Sequence, residues 1–237
     1  MTTPTYPFNW SKMTVLFSVI YDGFSVLKVF LPAIMRHFDE IDNLVIVMIN
    51  NDPNPEIHAF MEQVSHPRFI YIWRPENIGK ARVMNQFIAA NFKPDCVPPA
   101  IISIDPDVLM PVETLRQMID AVTDIPKAGV IGFHYENNRC NPMRNVWFPA
   151  RTYKGFSGRK HQLYRPFMMN VAGTAFGISG EILFKTLGGV LFSKLEDRPY
   201  FPDDYYLDRL LNRKGFRNGY LKGATASHMK SGNITLT

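Results

Sequence analysis

Residues 100–111 read AIISIDPDVLMP. An apolar run, Ile101, Ile102 and Ile104, of the kind that fills a buried strand ends in two aspartates, Asp105 and Asp107, with only Pro106 between them. The chain then turns apolar again and reaches Pro111. Two like charges at the exit of a buried strand repel each other and lose hydration, so something must compensate them. A tight turn is one answer, because Asp and Pro both favour reversals and Asp caps helices. A divalent cation with a phosphate behind it is the other. Asp-x-Asp alone does not choose, and the turn is the commoner explanation.

The pattern on either side of this stretch bears on the choice. Upstream, MTVLFSVI (Met13–Ile20), LVIVMI (Leu44–Ile49) and FIYIW (Phe69–Trp73) read as buried strands. Between them lie helix-like segments. In VLKVFLPAIMRHF, the residues Val26, Leu27, Phe30, Leu31, Ile34, Met35 and Phe38 recur at helical spacing. Pro32 within it predicts a kink or the true helix start. Further helices are expected around Glu56–Val64 and in NIGKARVMNQFIAANF, before the strand AIISI. Downstream, PVETLRQMIDAV places Pro111 where prolines favour a helix start, with Glu113 in the first turn. AGVIGF (Ala128–Phe133) is a fifth strand.

Strands alternating with helices predict a single α/β domain with a mainly parallel sheet flanked by helices, whose ligands bind beyond the carboxyl ends of the strands. Tyr21-Asp22, Asn50-Asn51-Asp52 and Asp105-Pro106-Asp107 each follow a strand directly. That shared placement favours the cation over the simple turn.

Composition sets bounds. The 237 residues are 46% hydrophobic and 20% charged, enough apolar material for one sizeable core. No linker, repeat or low-complexity tract divides them. MTTPTYPFNW lacks a secretory layout, and charges such as Asp22 and Lys28 interrupt the apolar runs, so no membrane-spanning segment is expected. Cys96 and Cys140 read as free structural thiols, which suits a cytoplasmic protein. The net charge of +5 is compatible with an anionic partner.

The second half is less regular. Residues 137–166 contain no acidic residue, and Arg139, Arg144, Arg151, Lys154, Arg159, Lys160 and Arg165 alternate with Trp147, Phe148, Tyr153, Phe156 and Tyr164. The plain expectation is a solvated lid. Seven cations exceed what a lid over one diphosphate needs. Cations among aromatics suit a phosphate backbone with rings stacked on it, so this segment is expected to hold an extended anionic acceptor. DNA with a hydroxymethylated base, flipped out to be modified, and a phosphate-linked glycan are the two candidates. Farther on, Asp203-Asp204 precedes an apolar helix pattern at Tyr206, Leu207, Leu210 and Leu211. One carboxylate there suits a helix cap; an adjacent pair also pushes pKa values apart and can leave one poised as a base. His228, in ASHM, is a further metal ligand if the chain folds back.

The order of motifs resembles the inverting GT-A-type glycosyltransferases of family two, especially rhamnosyltransferase-like members, from about Val15 to His228. VIVMINNDPNP is similar to the family's nucleobase-contacting strand end, and ENIGKARVMNQFI to its helix entry, at Asn77, Gly79 and Asn85. IISIDPDVLMPVETLRQMI resembles its metal-binding strand end. GTAFGISGEILFKTLGG is similar to its acceptor-side element, FPDDYYLDRLLNRKGF to its Glu-Asp element with Gly215 after it, and ATASHM to its terminal histidine strand.

The resemblance implies a nucleotide-sugar-binding half at 13–135 and an acceptor half at 136–237. It implies a nucleoside-diphosphate sugar as donor, UDP-linked in the first instance, and Mn²⁺ or Mg²⁺ as cofactor. Tyr21 and Asp22 would hold the nucleotide, Asn50, Asn51 and Asp52 would face the base, and Asn77, Gly79, Arg82 and Asn85 would complete the donor site. Asp105 would serve both diphosphate and metal, and Asp107 and His228 would bind the metal. Asp204, beside Asp203, would be the general base.

The chain departs from the family pattern at several points. Asn50 stands where an acid is usual, Asp203 replaces Glu, Leu210 replaces a helical Arg (Arg209 is adjacent), and Val190-Leu191-Phe192 replaces Gly-Phe-Asp. An amide both accepts and donates, which leaves the base open. A sugar nucleotidyltransferase is the alternative, although IYDGFS is a poor triphosphate loop. A non-catalytic nucleic-acid- or glycan-binding module is a third reading, in which neither Asp107 nor Asp204 would matter.

Overall fold

A computed structural model describes residues 3–21, 23–135, 149–165, 171, 175–192 and 203–229; for residues 134, 135 and 203–205 it describes the backbone alone. The first half alternates strand and helix: β1 (Thr14–Ile20), α1 (Phe24–Met35), β2 (Leu44–Asn50), α2 (Pro55–Glu62), β3 (Phe69–Trp73), α3 (Lys80–Asn91) and β4 (Ile101–Ile104). There follow β5 (Val108–Leu109), α4 (Val112–Asp124), β6 (Ala128–Tyr135), β7 (Arg151–Lys154), β8 (Lys160–Tyr164), β9 (Ala175–Ile178), α5 (Gly180–Lys185), α6 (Asp203–Arg213) and β10 (Arg217–His228).

One sheet runs β3-β2-β1-β4-β9-β6-β10-β8-β7, with β5 paired to the far end of β10. From β3 to β4 every ladder is parallel. Beyond β4 the sheet is mixed: β9 runs antiparallel between β4 and β6, whereas β10 is parallel to β6. Both faces are covered, so β1, β2 and β4 are buried along their whole lengths. Strands buried on both faces read as continuous apolar runs rather than alternating ones. Alternate side chains still divide between two cores. Leu16, Ile46, Met48 and Ile102 pack with Leu27, Phe30, Leu115 and Met118 of α1 and α4. Val15, Phe17, Val47 and Ile101 pack with Met84, Phe87 and Ile88 of α3 and Leu207 of α6.

Two expectations are corrected. Pro32 neither starts nor breaks α1, which runs through it from Phe24. Pro32 is exposed, so the carbonyl that its ring deprives of a partner can turn to water. The basic segment is not simply a lid. Its described part, 149–165, forms the β7–β8 hairpin, and β8 is sewn onto β10. Asp124, at the end of α4, clamps the hairpin turn: its carboxylate accepts from Ser157 N at 2.7 Å and Ser157 Oγ at 2.8 Å and meets His161 Nε2 at 2.7 Å. Gly155 packs so closely there that a Cβ would lie 1.8 Å from Asp124 Oδ2. Residues 137–148 and 166 lie outside the described residues, as do Arg139, Arg144, Trp147 and Phe148.

β10 is the strand that closes the site. Its pairing with β6 skips between Tyr220↔Gly132 and Thr225↔His134, and Gly223 in that bulge has φ 84. The bulge lets one strand pair with β8 and then carry His228 across to β5.

Candidate active site

β1, β2 and β4 end together, and the polar residues that follow them are brought to one edge of the sheet. Tyr21 leaves β1 half-buried, whereas Asp22 lies outside the described residues. At the end of β2, Asn50 and Asn51 are fully buried, and buried amides need partners. Asn50 Oδ1 accepts from Asp52 N at 3.2 Å, and its Nδ2 donates to the Tyr71 hydroxyl at 3.1 Å. Asn51 Nδ2 donates to Asn77 Oδ1 at 2.9 Å, and Asn51 Oδ1 accepts from Ile78 N at 3.2 Å. Asp52 Oδ1 accepts from Asn54 N at 2.7 Å, starting the turn into α2.

The sequence did not reveal the outer part of this corner. The Tyr71 hydroxyl also meets His58 Nδ1 at 3.1 Å. His58 stacks on Trp73 at 3.9 Å between ring centroids, and the Trp73 indole N–H donates to Asp52 O at 3.2 Å. Burial pushes the Tyr71 phenol up to about 12; Glu62 adds to the shift and the bond from Asn50 opposes it. Tyr71 is therefore a neutral hydroxyl at neutral pH. The signal lay in β3: FIYIW puts Tyr71 and Trp73 on one face of an edge strand, although nothing local indicated their partners.

Gly79 (φ 88) turns the chain from Asn77 into α3, with Asn77 Oδ1 accepting from Gly79 N at 3.1 Å. A left-handed φ suits glycine. The next residue, Lys80, places Nζ 2.8 Å from Asp105 Oδ1. Lys80 was not among the expected site residues. Arg82, two residues on, is half-buried. Asn85 is buried and faces the segment after α5: its Oδ1 accepts from Leu191 N at 3.0 Å and Phe192 N at 3.4 Å. It thereby holds the segment in which Val190-Leu191-Phe192 departs from the family pattern.

Asp107 is held from the other side. Val108 and Leu109 pair with His228 and Ser227, and Met229 N donates to Asp107 O at 2.6 Å. His228 Nε2 stands 3.3 Å from Asp107 Oδ2, while Asp107 Oδ1 is buried without a hydrogen-bond partner among the described residues. Burial, chiefly, raises the Asp107 carboxyl above the ordinary carboxylate range; Asp105 adds to this, and His228 and Lys80 oppose it. A desolvated carboxylate oxygen with no donor suits a cation. Among the described residues no three His, Cys, Asp or Glu side chains gather to hold a metal by themselves. One carboxylate and one imidazole leave the rest of a shell to substrate oxygens and water, the arrangement Mg²⁺-like ions favour at phosphate sites.

α6 begins at Asp203-Asp204, whose side chains lie outside the described residues. Of the two cysteines, Cys96 is a free thiol and Cys140 is not among the described residues. No described helix is long and apolar enough to cross a membrane.

No curated protein matches the sequence. Among solved structures, the fold is similar to a mannosyltransferase from Pyrobaculum calidifontis in complex with GDP-Man and Mn²⁺ (TM-score 0.57, 15% identity, 98% of this chain and 61% of that one). It is also similar to GalNAc-T7 with UDP, GalNAc and Mn²⁺ (0.56, 12%, 92% and 44%). A third likeness is to 4-diphosphocytidyl-2C-methyl-D-erythritol synthase from Anaerococcus prevotii (0.53, 12%, 94% and 92%). The chain thus spans less than two thirds of the first two. At these identities the likeness establishes the α/β fold. The sequence profile of glycosyl transferase family 2 matches residues 19–183, from the end of β1 through α5. The chain belongs to glycosyl transferase family 2.

Proposed function

We propose that this protein is a metal-dependent glycosyltransferase that moves a sugar from a nucleoside diphosphate onto a hydroxyl, with inversion. The observation that carries this reading is Asp107: a buried carboxylate oxygen, unpartnered among the described residues, beside His228 at the exit of β4 in a family 2 chain. The half at 13–135 binds the donor and the half at 136–237 the acceptor. Asp107 and His228 would hold Mn²⁺ or Mg²⁺, an ion that supplies neutralisation of the diphosphate as it departs. Two similar folds were solved with Mn²⁺ and a nucleotide or nucleotide sugar.

The acceptor oxygen attacks the anomeric carbon from the face opposite the diphosphate. The carbon–oxygen bond to phosphate breaks, its electron pair leaves on the phosphate oxygen, and the acceptor proton passes to Asp204. Tyr21, Asp22, Asn50, Asn51, Asp52, Asn77, Gly79 and Arg82 frame the nucleotide. The Asn50 amide accepts from Asp52 and donates to Tyr71 and leaves the base open; the family resemblance makes UDP the first donor to test and GDP the second. The acceptor is anionic and extended, either hydroxymethylated DNA or a phosphate-linked glycan. Arg151, Lys154, Lys160 and Arg165 are all exposed on the hairpin, and they support that choice. The low cysteine count suits a cytoplasmic setting.

A thermal-shift panel of UDP, GDP and CDP with and without Mn²⁺ tests the donor side, since ligands that bind the native state raise its apparent stability. A Mn²⁺-dependent shift with one base is expected, and no shift with any diphosphate would sink the reading. Asp204→Ala is expected to abolish transfer and keep nucleotide binding. Gel shifts with duplex DNA across a salt series separate the acceptors: binding that does not weaken with salt, or no binding, removes nucleic acid.

A further inference from the structure

Asp105 and Asp107 have different neighbours. Asp107 faces His228. Asp105 faces Lys80, at 2.8 Å, in a pair whose side chains are only 12% and 27% exposed. The two carboxylates and His228 do not gather into one three-ligand group. The strand end is therefore divided into a carboxylate–imidazole half and a carboxylate–ammonium half.

A plain salt bridge tying α3 to β4 is the simple account of Lys80. Its position argues for more. Lys80 is the first residue of α3, where the helix dipole disfavours a cation. The backbone that carries it is fixed, because Asn77 Oδ1 holds Gly79 N and Asn51 Nδ2 together at the end of β2. A cation set at an unfavourable helix end, on a rigid mount, and 2.8 Å from a strand-end carboxylate is poised for an anion at that spot.

We infer that Lys80 is the protein's own cation for the leaving diphosphate, and that Asp105 holds Lys80 instead of ligating the metal. This assignment rests on the glycosyltransferase reading and deepens it. When the bond from the anomeric carbon to phosphate breaks, the electron pair stays on the phosphate oxygen. The Lys80 ammonium faces that growing charge. The metal, when bound, is left to Asp107, His228 and the diphosphate.

The test uses isothermal titration of wild type, Lys80→Met and Lys80→Arg with UDP, GDP, uridine and guanosine, all in chelator. Lys80→Met should weaken diphosphate binding about 10- to 100-fold, the range of a charge-assisted contact, and leave nucleoside binding unchanged. Lys80→Arg should stay within about threefold of wild type. The assignment is overturned if Lys80→Met binds diphosphate as wild type does, or loses the nucleoside equally. Manganese resonance spectra with UDP present give a second readout. Asp105→Asn should retain the bound-ion signal that Asp107→Asn loses, and equal loss in both would overturn the division. If the wild type binds no diphosphate either in chelator or with Mn²⁺, this inference and the glycosyltransferase reading fall together. If wild type transfers sugar and Lys80→Met binds diphosphate unchanged, only the Lys80 assignment falls.

Discussion

His228 Nε2 lies 3.3 Å from Asp107 Oδ2, and the backbone of the following residue, Met229, donates to Asp107 O at 2.6 Å. The last described strand thus closes on the strand exit by both side chain and main chain. Asp107→Asn and His228→Ala should each lower Mn²⁺-dependent transfer by at least about a hundredfold, the scale on which a metal acts on a departing charge. Folding should survive in both, as read by circular dichroism and melting. Transfer at wild-type rates in Asp107→Asn would remove the metal from the reaction.

Tyr71 ties Asn50 to His58 beside the proposed base site. Tyr71→Phe leaves the buried Asn50 amide short of an acceptor, at a cost of about 1–2 kcal/mol in stability. Donor affinity should fall about 3- to 10-fold while kcat at saturating donor stays level. Titration calorimetry and initial rates separate the two effects. A drop in kcat with unchanged affinity would move Tyr71 out of the donor corner.

Asn85 was expected at the donor, yet its carbonyl oxygen accepts from Leu191 N and Phe192 N. Asn85→Leu, close in shape, strands two buried N–H groups and should cost about 2–4 kcal/mol in urea unfolding. If stability stays level and donor binding weakens instead, the amide serves the ligand.

Bonds from His161 first, and from Ser157 after it, hold the Asp124 carboxyl at about 2, below its ordinary 3.8. A carboxylate whose folded pKa is depressed adds stability above the unfolded value and loses it as pH falls through the folded one. Asp124→Asn should therefore lower Tm by a few degrees at pH 7, and the gap should close between about pH 4 and pH 2. Parallel melting curves of the two proteins across that range decide it. A gap that persists at pH 2 would mean that packing, not charge, holds the hairpin.

The central strands β1, β2 and β4 were legible because each is buried on both faces and so reads as an unbroken apolar run, as LVIVMI does. The strand-end position of Asp105 and Asp107 followed from the same pattern. The β7–β8 hairpin was not legible. Arg151–Lys154 is mostly exposed, and an edge strand with a charge on each face shows no apolar run. Lys80 was passed over because a lysine at a helix start looks like any solvated cation until the facing strand is known.

Local periodicity records which faces are buried, so the chain alone specified a two-face-covered α/β sheet with carboxylates at its exits. It did not specify what each carboxylate meets. Lys80 reaches Asp105 across 25 positions, and His228 arrives at Asp107 by way of a bulge in β10. Those meetings depend on ladder register and on where a strand bends, and contacts set by register between distant segments leave no trace in the spacing of either one.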